Sequence, residues 1–232
     1  MRLGVSFGEL ITDLRAESNR SDDLGHGIGD LTRLKRALNK ALLRLYDDYA
    51  WPHLRRTFAR VTMAAGQRYY DLPDNLDPER VEEVRSWWNG QPTPIERGIG
   101  TSEYASYDSQ ADERSDPPLR YDVRYHDTPS NATMIEVWPL PASATAALEF
   151  VGTYRVSPLV NDADICLLDA EAVVLLAAVD VAPKEDRDEI RAAAAERIRQ
   201  IRARFPSGAP VRMGLGQSDG QPIAGRAIVR IS

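Results

Sequence analysis

The most constraining stretch of this sequence runs from Asp30 to Trp51. At about 100° per residue, Tyr49 and five of the six leucines of this stretch fall on one side of a helix. Those leucines are Leu31, Leu34, Leu38, Leu42 and Leu45. Asp30 is a suitable N-cap, and Pro52 disfavours helical geometry in the residue before it. The pattern predicts a helix that packs on another surface, either in the same chain or in a neighbouring copy.

The opposite side of this predicted helix is basic. Its residues are Arg33, Arg36, Lys40 and Arg44. Four cations on one face could follow a phosphate backbone, pair with acids of an adjacent subunit, or simply be solvated. The net charge of −6 argues against a general affinity for nucleic acid. We therefore expect this face to be DNA-facing or intersubunit, with plain solvation left open.

Predicted helices lie on both sides of a region in which the apolar residues recur about every second position. Ser6 and Glu9 have the spacing of a capping box and predict a first helix that starts at Ser6. After Pro52 the apolar residues alternate, which predicts strands and places Val81 and Val84 on opposite sides. Asn89-Gly90 is a strong hairpin signal. The predicted strands are 57–63, 68–72, 80–88, 92–95, 119–126, 133–138 and 147–156, with a short helical turn near 102–107.

Two closing helices follow the strands. The run from Ile165 to Ala182 is apolar nearly all the way round, which is typical of a helix buried on several sides, and its helix is expected to start at about Ala163. A last helix is predicted from Lys184 to Phe205, with acids at its start and bases at its end. Its apolar stripe is Ile190, Ala194, Ile198, Ile201 and Phe205.

Residues 206–232 have a different composition, with five glycines and three prolines. Such a segment cannot form a packed core alone, so it is interpreted as a tail that docks on a partner. Its end, Arg226 to Ile231, alternates well enough to add as a strand to a sheet edge. The predicted fold is α+β: a bundle of about four helices with an inserted antiparallel β-rich domain and an extended C-terminal tail. The expected divisions are N-terminal helices at 1–56, the β-rich insertion at 57–160, the closing helices at 161–205 and the C-terminal docking tail at 206–232.

No motif supports catalysis, a cofactor or a metal. Gly216 to Gly220 matches the G-x-S-x-G elbow around Ser218, but that elbow needs a later histidine, and none follows His126. His26, His53 and His126 are too scattered for a local metal motif. Because the chain has a single cysteine and no long apolar run, we expect no internal disulfide and no membrane span. The expected protein is not an enzyme and is made in a reducing compartment.

The order of several short motifs resembles the head-to-tail adaptor (connector) proteins of tailed bacteriophages. The leucine-rich helix closes in Asp48-Tyr49-Ala50-Trp51-Pro52, and a strand then ends in Tyr69-Tyr70-Asp71-Leu72-Pro73. Next come Val137-Trp138-Pro139-Leu140-Pro141 and Tyr154 with Pro158-Leu159. The resemblance covers roughly residues 6–205. One departure is the entry to the penultimate helix, where Asp164 to Leu168 replaces the usual acidic-aromatic pattern.

The resemblance implies a virion structural protein at the head-tail junction, assembled in the host cytoplasm. It would form a ring, commonly a dodecamer, that binds the portal protein and a tail or stopper protein while packaged DNA passes through the channel without specific binding. The expected portal-binding residues lie in the tail: Arg212, Arg226, Ile228 and Arg230. The residues expected to pack within the bundle or between subunits are Leu34, Leu38, Leu42, Leu45, Ile198 and Ile201. The alternatives are a nucleic-acid-binding module, another tail-ring component such as a stopper or terminator, and a hydrolase that uses Ser218.

Overall fold

The computed structural model describes residues 2–18, 28–108, 113–125 and 133–204, and the chain is α+β. The helices are α1 (Phe7–Glu17), α2 (Ile28–Asp48), α3 (Thr101–Ala105), α4 (Ala170–Val181) and α5 (Arg187–Arg204), with a 3-10 turn at Pro52–Leu54. The strands are β1 (Val5–Ser6), β2 (Arg55–Thr57), β3 (Val61–Thr62), β4 (Tyr69–Asp71), β5 (Leu76–Trp88), β6 (Gln91–Arg97), β7 (Arg120–Tyr125), β8 (Thr133–Trp138), β9 (Ala147–Tyr154) and β10 (Ile165–Cys166). No helix in these ranges is long and apolar enough to span a membrane.

Helix α4 lies at the centre of the helical region, which consists of α1, α2, α4 and α5. It contacts the other three helices, and eight of its 12 residues are buried. The expected start near Ala163 is wrong, because Ile165–Cys166 pairs with β1 as a strand. The helix begins only after Asp169, whose carboxylate accepts a hydrogen bond from the Ala172 N–H. An Asp N-cap therefore sets this boundary, five residues after the apolar run begins.

Helix α2 packs within its own chain. Leu34, Leu38, Leu42 and Leu45 are at most 1% exposed and belong to the core shared with α1 and α4. The expected bounds need correction, because the helix begins at Ile28, with Asp30 in its first turn, and ends at Asp48 before Pro52. Leu31 is 36% exposed and does not join the buried stripe.

The main sheet has eight strands and curls around a second core. Its order is β2-β9-β5-β6-β7-β8-β4, with β3 also on β9. The expectation of an antiparallel domain is corrected at one place, since β6 and β7 run parallel. The predicted strand 57–63 is broken into β2 and β3, both paired with β9. Strand β3 pairs with β9 and strand β4 pairs with β8, and only six residues separate β3 from β4. This link can be at most about 20 Å long, so it keeps the two sides of the sheet close together.

Strand β5 is longer than predicted and irregular. The hairpin at Asn89-Gly90 is confirmed, since Trp88 pairs with Gln91 and both turn residues have positive φ. The expected separation of Val81 and Val84 is wrong, because bulges in β5 shift the register and both side chains enter one core. A Cβ on Gly152 would lie 2.8 Å from the Arg80 carbonyl oxygen, so only glycine fits beside this bulge.

The buried apolar side chains form two separate clusters. One fills the helical region and includes Trp51, Leu54 and Val156 from the chain that leads to and from the sheet. The other is lined by Phe150, Leu148, Ile135 and their neighbours inside the curled sheet. The apolar side chains of α4 and the four buried leucines of α2 therefore pack inside one chain. They supply no independent evidence for a subunit interface.

Candidate docking surfaces

The basic face of α2 is exposed, as predicted, but its residues differ in their partners. The Lys40 ammonium contacts the Asp180 carboxylate at 2.7 Å, and Arg44 lies 3.9 Å from Asp48. Arg33 and Arg36 pair with no carboxylate in the described part of the chain. The cations that remain available for a partner are therefore those near the start of the helix.

Tertiary structure adds cations that the sequence pattern did not connect to this face. Arg33 lines a pocket of about 470 Å³ with Arg187, the first residue of α5, and Lys184, which precedes that helix. The wall of this pocket includes Ser18. Among the described residues, no carboxylate belongs to the lining. Arg187 donates from Nε to the Ala182 carbonyl, which holds its guanidinium at the pocket. Because Arg33 and Arg187 are far apart in sequence, periodicity within one helix could not have found this cluster.

The predicted packing residues are buried rather than exposed. The four leucines of α2 and Ile201 lie in the helical core, and Ile198 is partly buried against it. They stabilise the subunit itself. A contact between copies would have to use other residues, unless the helices rearrange.

A buried carboxylate fixes one end of the curled sheet. Glu136 on β8 is 1% exposed, and its carboxylate accepts hydrogen bonds from Arg68 Nε (2.7 Å), Arg124 Nε (2.9 Å) and the Tyr104 hydroxyl (2.7 Å). Burial opposes ionisation of Glu136, but these three hydrogen bonds outweigh it and lower the pKa of the carboxyl. Trp138 stacks edge-on against Tyr104. The cluster pins the short helix α3 to the sheet.

A second buried carboxylate joins three parts of the helical region. Asp169 is fully buried and accepts hydrogen bonds from Arg197 Nε (3.0 Å), Arg197 Nη2 (2.9 Å) and the Arg2 backbone N–H (2.8 Å), besides capping α4. Burial again opposes ionisation, and the hydrogen bonds again prevail, so the pKa of Asp169 is lowered. This residue ties the N-terminus and α5 to the start of α4.

Contacts between distant residues hold the sheet, and the chain that leaves it, to helix α2. Arg80 on β5 donates from Nη1 to the Tyr46 carbonyl (2.9 Å) at the C-terminal end of α2, where its charge suits the helix dipole. Asn39 on α2 bonds both backbone groups of Leu159, donating to its carbonyl (2.8 Å) and accepting from its N–H (2.7 Å). Both contacts join residues distant in sequence, so they could be found only from the fold.

His53 and Cys166 are the histidine and the cysteine within the described ranges. His53 donates from Nε2 to the Leu167 carbonyl at 2.8 Å, and burial raises the pKa of the Cys166 thiol to about 11. No group of three or more potential metal ligands is present in these ranges. His26, His126, Ser218 and the four tail residues predicted to bind the portal lie outside the described residues.

Comparison with known proteins agrees with the resemblance seen in the motifs. Two of those motifs are neighbours in the fold, since Tyr69 and Tyr70 on β4 pair with the strand that ends in Trp138. No curated protein matches the chain. A family model described as SU10 adaptor protein matches residues 5–214. Because this match spans both the helices and the sheet, the chain belongs to the SU10 adaptor protein family, a family of structural phage proteins.

Proposed function

We propose that the protein is a head-to-tail adaptor that forms a ring under the portal, docks the tail and lines the channel through which DNA leaves the capsid. The observation that carries this proposal is the family match over residues 5–214. The protein would assemble in the host cytoplasm and reside in the virion at the head-tail junction. A dodecamer is the expected ring, and the tail or a stopper protein is the expected second partner.

The distribution of exposed charge supports contacts between copies through polar surfaces. Leu34, Leu38, Leu42 and Leu45 of α2 are hidden within the subunit. Arg33 and Arg36, by contrast, are exposed and pair with no described carboxylate. Heterologous contacts that close a ring need two different complementary surfaces on each copy. An interface of this kind would be sensitive to salt, because exposed ion pairs are screened.

The C-terminal tail is the proposed portal-binding segment. Arg212, Arg226 and Arg230 give it positive charge, and Ile228 lies in the stretch that alternates as a strand does. Such a stretch can add to the edge of a partner's sheet, where backbone hydrogen bonds supply affinity.

Truncation tests this role. The chain ending at residue 205 should retain the helical circular dichroism of the full chain but should no longer bind purified portal protein in native mass measurements or negative-stain images. A matched control replaces Arg212, Arg226 and Arg230 together by lysine, which keeps the charge and should keep binding. Undiminished portal binding by the truncated chain would refute the role of the tail.

A nucleic-acid contact is the second candidate function, favoured by the pocket that Arg33, Lys184 and Arg187 line together, with no carboxylate from the described ranges. It predicts that Arg36→Glu with Lys40→Glu abolishes DNA retention on filters while ring assembly persists. Arg33→Glu should have the same effect if the pocket takes part. Lost ring assembly with unchanged DNA retention would instead assign the face to contacts between copies. A hydrolase role for Ser218 predicts lost function in Ser218→Ala, and we expect full function.

A further inference from the structure

A groove of about 570 Å³ runs between α1 and α5, with α4 as its floor. Val174 and Leu175 lie at the bottom, and Ala16 and Ala193 form part of the walls. Small side chains on facing helices leave room for an extended backbone between them. The base of the groove is therefore apolar.

The rim of this groove is acidic. Its lining includes four carboxylates and two guanidinium groups, a balance of −2. Both arginines are already engaged: Arg2 contacts Asp13 at 2.6 Å, and Arg197 contacts Asp169 and Glu171, each at 2.9 Å. Glu17, by contrast, pairs with no cation in the described part of the chain. An occupant of this groove should carry positive charge and a narrow apolar edge.

The C-terminal segment of the chain has both properties. Arg212, Arg226 and Arg230 stand against a single acid, Asp219, after residue 205. In Val211-Arg212-Met213-Gly214-Leu215 the apolar residues alternate, so an extended chain would present Val211, Met213 and Leu215 on one side.

The position of this segment along the chain allows it to return to the groove. Gln200 lines the groove, and α5 ends at Arg204, about 6 Å further along the helix axis. Residues 205–210 can span up to about 20 Å, and they include Pro206, Gly208 and Pro210, residues that favour reversal of the chain.

We propose that residues 211–215 dock in the groove between α1 and α5 of the same chain, with Val211 and Met213 on the floor and Arg212 near Glu17. A short connection gives the segment an effective concentration of about a millimolar, which favours the same chain over a second copy. The contact covers the tail until a partner displaces it. It does not depend on the portal role, because the groove would hold the tail of a free subunit whatever the tail later binds.

Limited digestion of the full chain with an arginine-specific protease tests this proposal. Cleavage after Arg212 should be about tenfold slower than cleavage after Arg226, because cleavage follows the undocked population. Glu17→Lys with Glu196→Lys should remove this difference without adding a cleavage site. The control pair Asp74→Lys with Glu79→Lys makes the same change of charge on exposed residues at the sheet, and it should leave the protection intact.

Two further measurements keep the proposal falsifiable. Leu215→Ser should accelerate cleavage after Arg212 even if the groove variant fails to fold, because it weakens docking without changing either residue of the cleaved bond. Protection should stay constant over about a hundredfold range of protein concentration, since docking within one chain does not depend on concentration. Equal cleavage at both arginines in the unmodified chain, or protection that grows with concentration, would overturn the proposal.

Discussion

The helical region and the curled sheet each bury one carboxylate, but they stabilise it in different ways. Asp169 sits at a helix N-terminus, where the Ala172 N–H and one arginine satisfy it, and the Arg197 side chain is only 14% exposed. Glu136 lies in the middle of a strand and depends on two arginines from other strands or turns, whose side chains are 36% and 40% exposed. Helix α4 itself donates one of the hydrogen bonds to Asp169, whereas Glu136 depends on side chains from other parts of the chain.

This difference matters for how much each carboxylate should stabilise the fold. A charge without its partner costs most where water cannot reach it. Arg197 would be left in a nearly dry site if Asp169 were removed, while Arg68 and Arg124 could be partly hydrated without Glu136. We therefore expect the helical region to be more sensitive than the sheet to loss of its buried acid.

The largest effect is expected from Asp169→Ala. The change removes the cap of α4 and leaves Arg197 unpaired, so the free energy of unfolding should fall by about 4 kcal/mol. Urea denaturation at neutral pH measures this loss. Asp180→Ala is the matched control, since it removes an exposed partner of Lys40 and should cost less than about 1 kcal/mol. A similar small loss in both variants would break the comparison.

Glu136→Gln should have an intermediate effect. The amide keeps the shape of the side chain but leaves Arg68 without an anion and Arg124 with Asp122 alone, which should cost about 2 to 3 kcal/mol in the same experiment. Glu96→Gln provides the control, because Glu96 pairs with Arg120 but is 66% exposed. A loss larger than that of Asp169→Ala would reverse the order proposed for the two regions.

A smaller effect is expected where the chain returns from the sheet to the helices. Asn39→Ala removes both hydrogen bonds to Leu159 and should lower the free energy of unfolding by about 1 to 2 kcal/mol. Because Leu159 belongs to the helical core, far-UV circular dichroism should report a lower urea midpoint for the helices. Asn161→Ala, at an exposed position, should leave one transition at its original midpoint.

The smallest difference concerns pH. The pKa values of Asp169 and Glu136 are both lowered in the folded chain, so their stabilisation is present above the unfolded pKa, near 4, and is lost as the pH falls through the folded value. The free energy of unfolding should therefore drop between pH 5 and pH 3. That drop should be smaller by about 1 kcal/mol in Asp169→Asn or Glu136→Gln. An identical drop in variant and parent would show that other carboxyl groups govern acid unfolding.

Sequence patterns predicted the elements best where local chemistry decides the backbone. The capping box of Ser6 and Glu9 begins α1 as expected, and Asn89-Gly90 makes its hairpin because both residues accept positive φ. The prediction failed where pairing with distant segments competes. Ile165 and Cys166 are apolar enough for a helix, but they pair with β1 as a strand. A bulge in β5 places the Val81 side chain in the same core as Val84.

The candidate surfaces divide in the same way. Periodicity alone placed Arg33, Arg36, Lys40 and Arg44 on an exposed face of one helix. It could not show that Arg33 lines a pocket with Lys184 and Arg187, or that Asp180 forms an ion pair with Lys40. Nor could it show the acidic groove between α1 and α5. Those arrangements depend on which helices pack on α4, and a one-dimensional pattern does not contain that information.

By itself the sequence determined the helical and strand-rich stretches, the amphipathic face of α2 and the motif order shared with phage adaptors. These features follow from interactions over a few residues, such as caps, turns and the helical period. Only the tertiary structure decided that the leucines of α2 are buried within one subunit, that the sheet contains a parallel pair, and which arginines satisfy Asp169 and Glu136. The physical reason is that burial and ion pairing depend on groups brought together from distant parts of the chain.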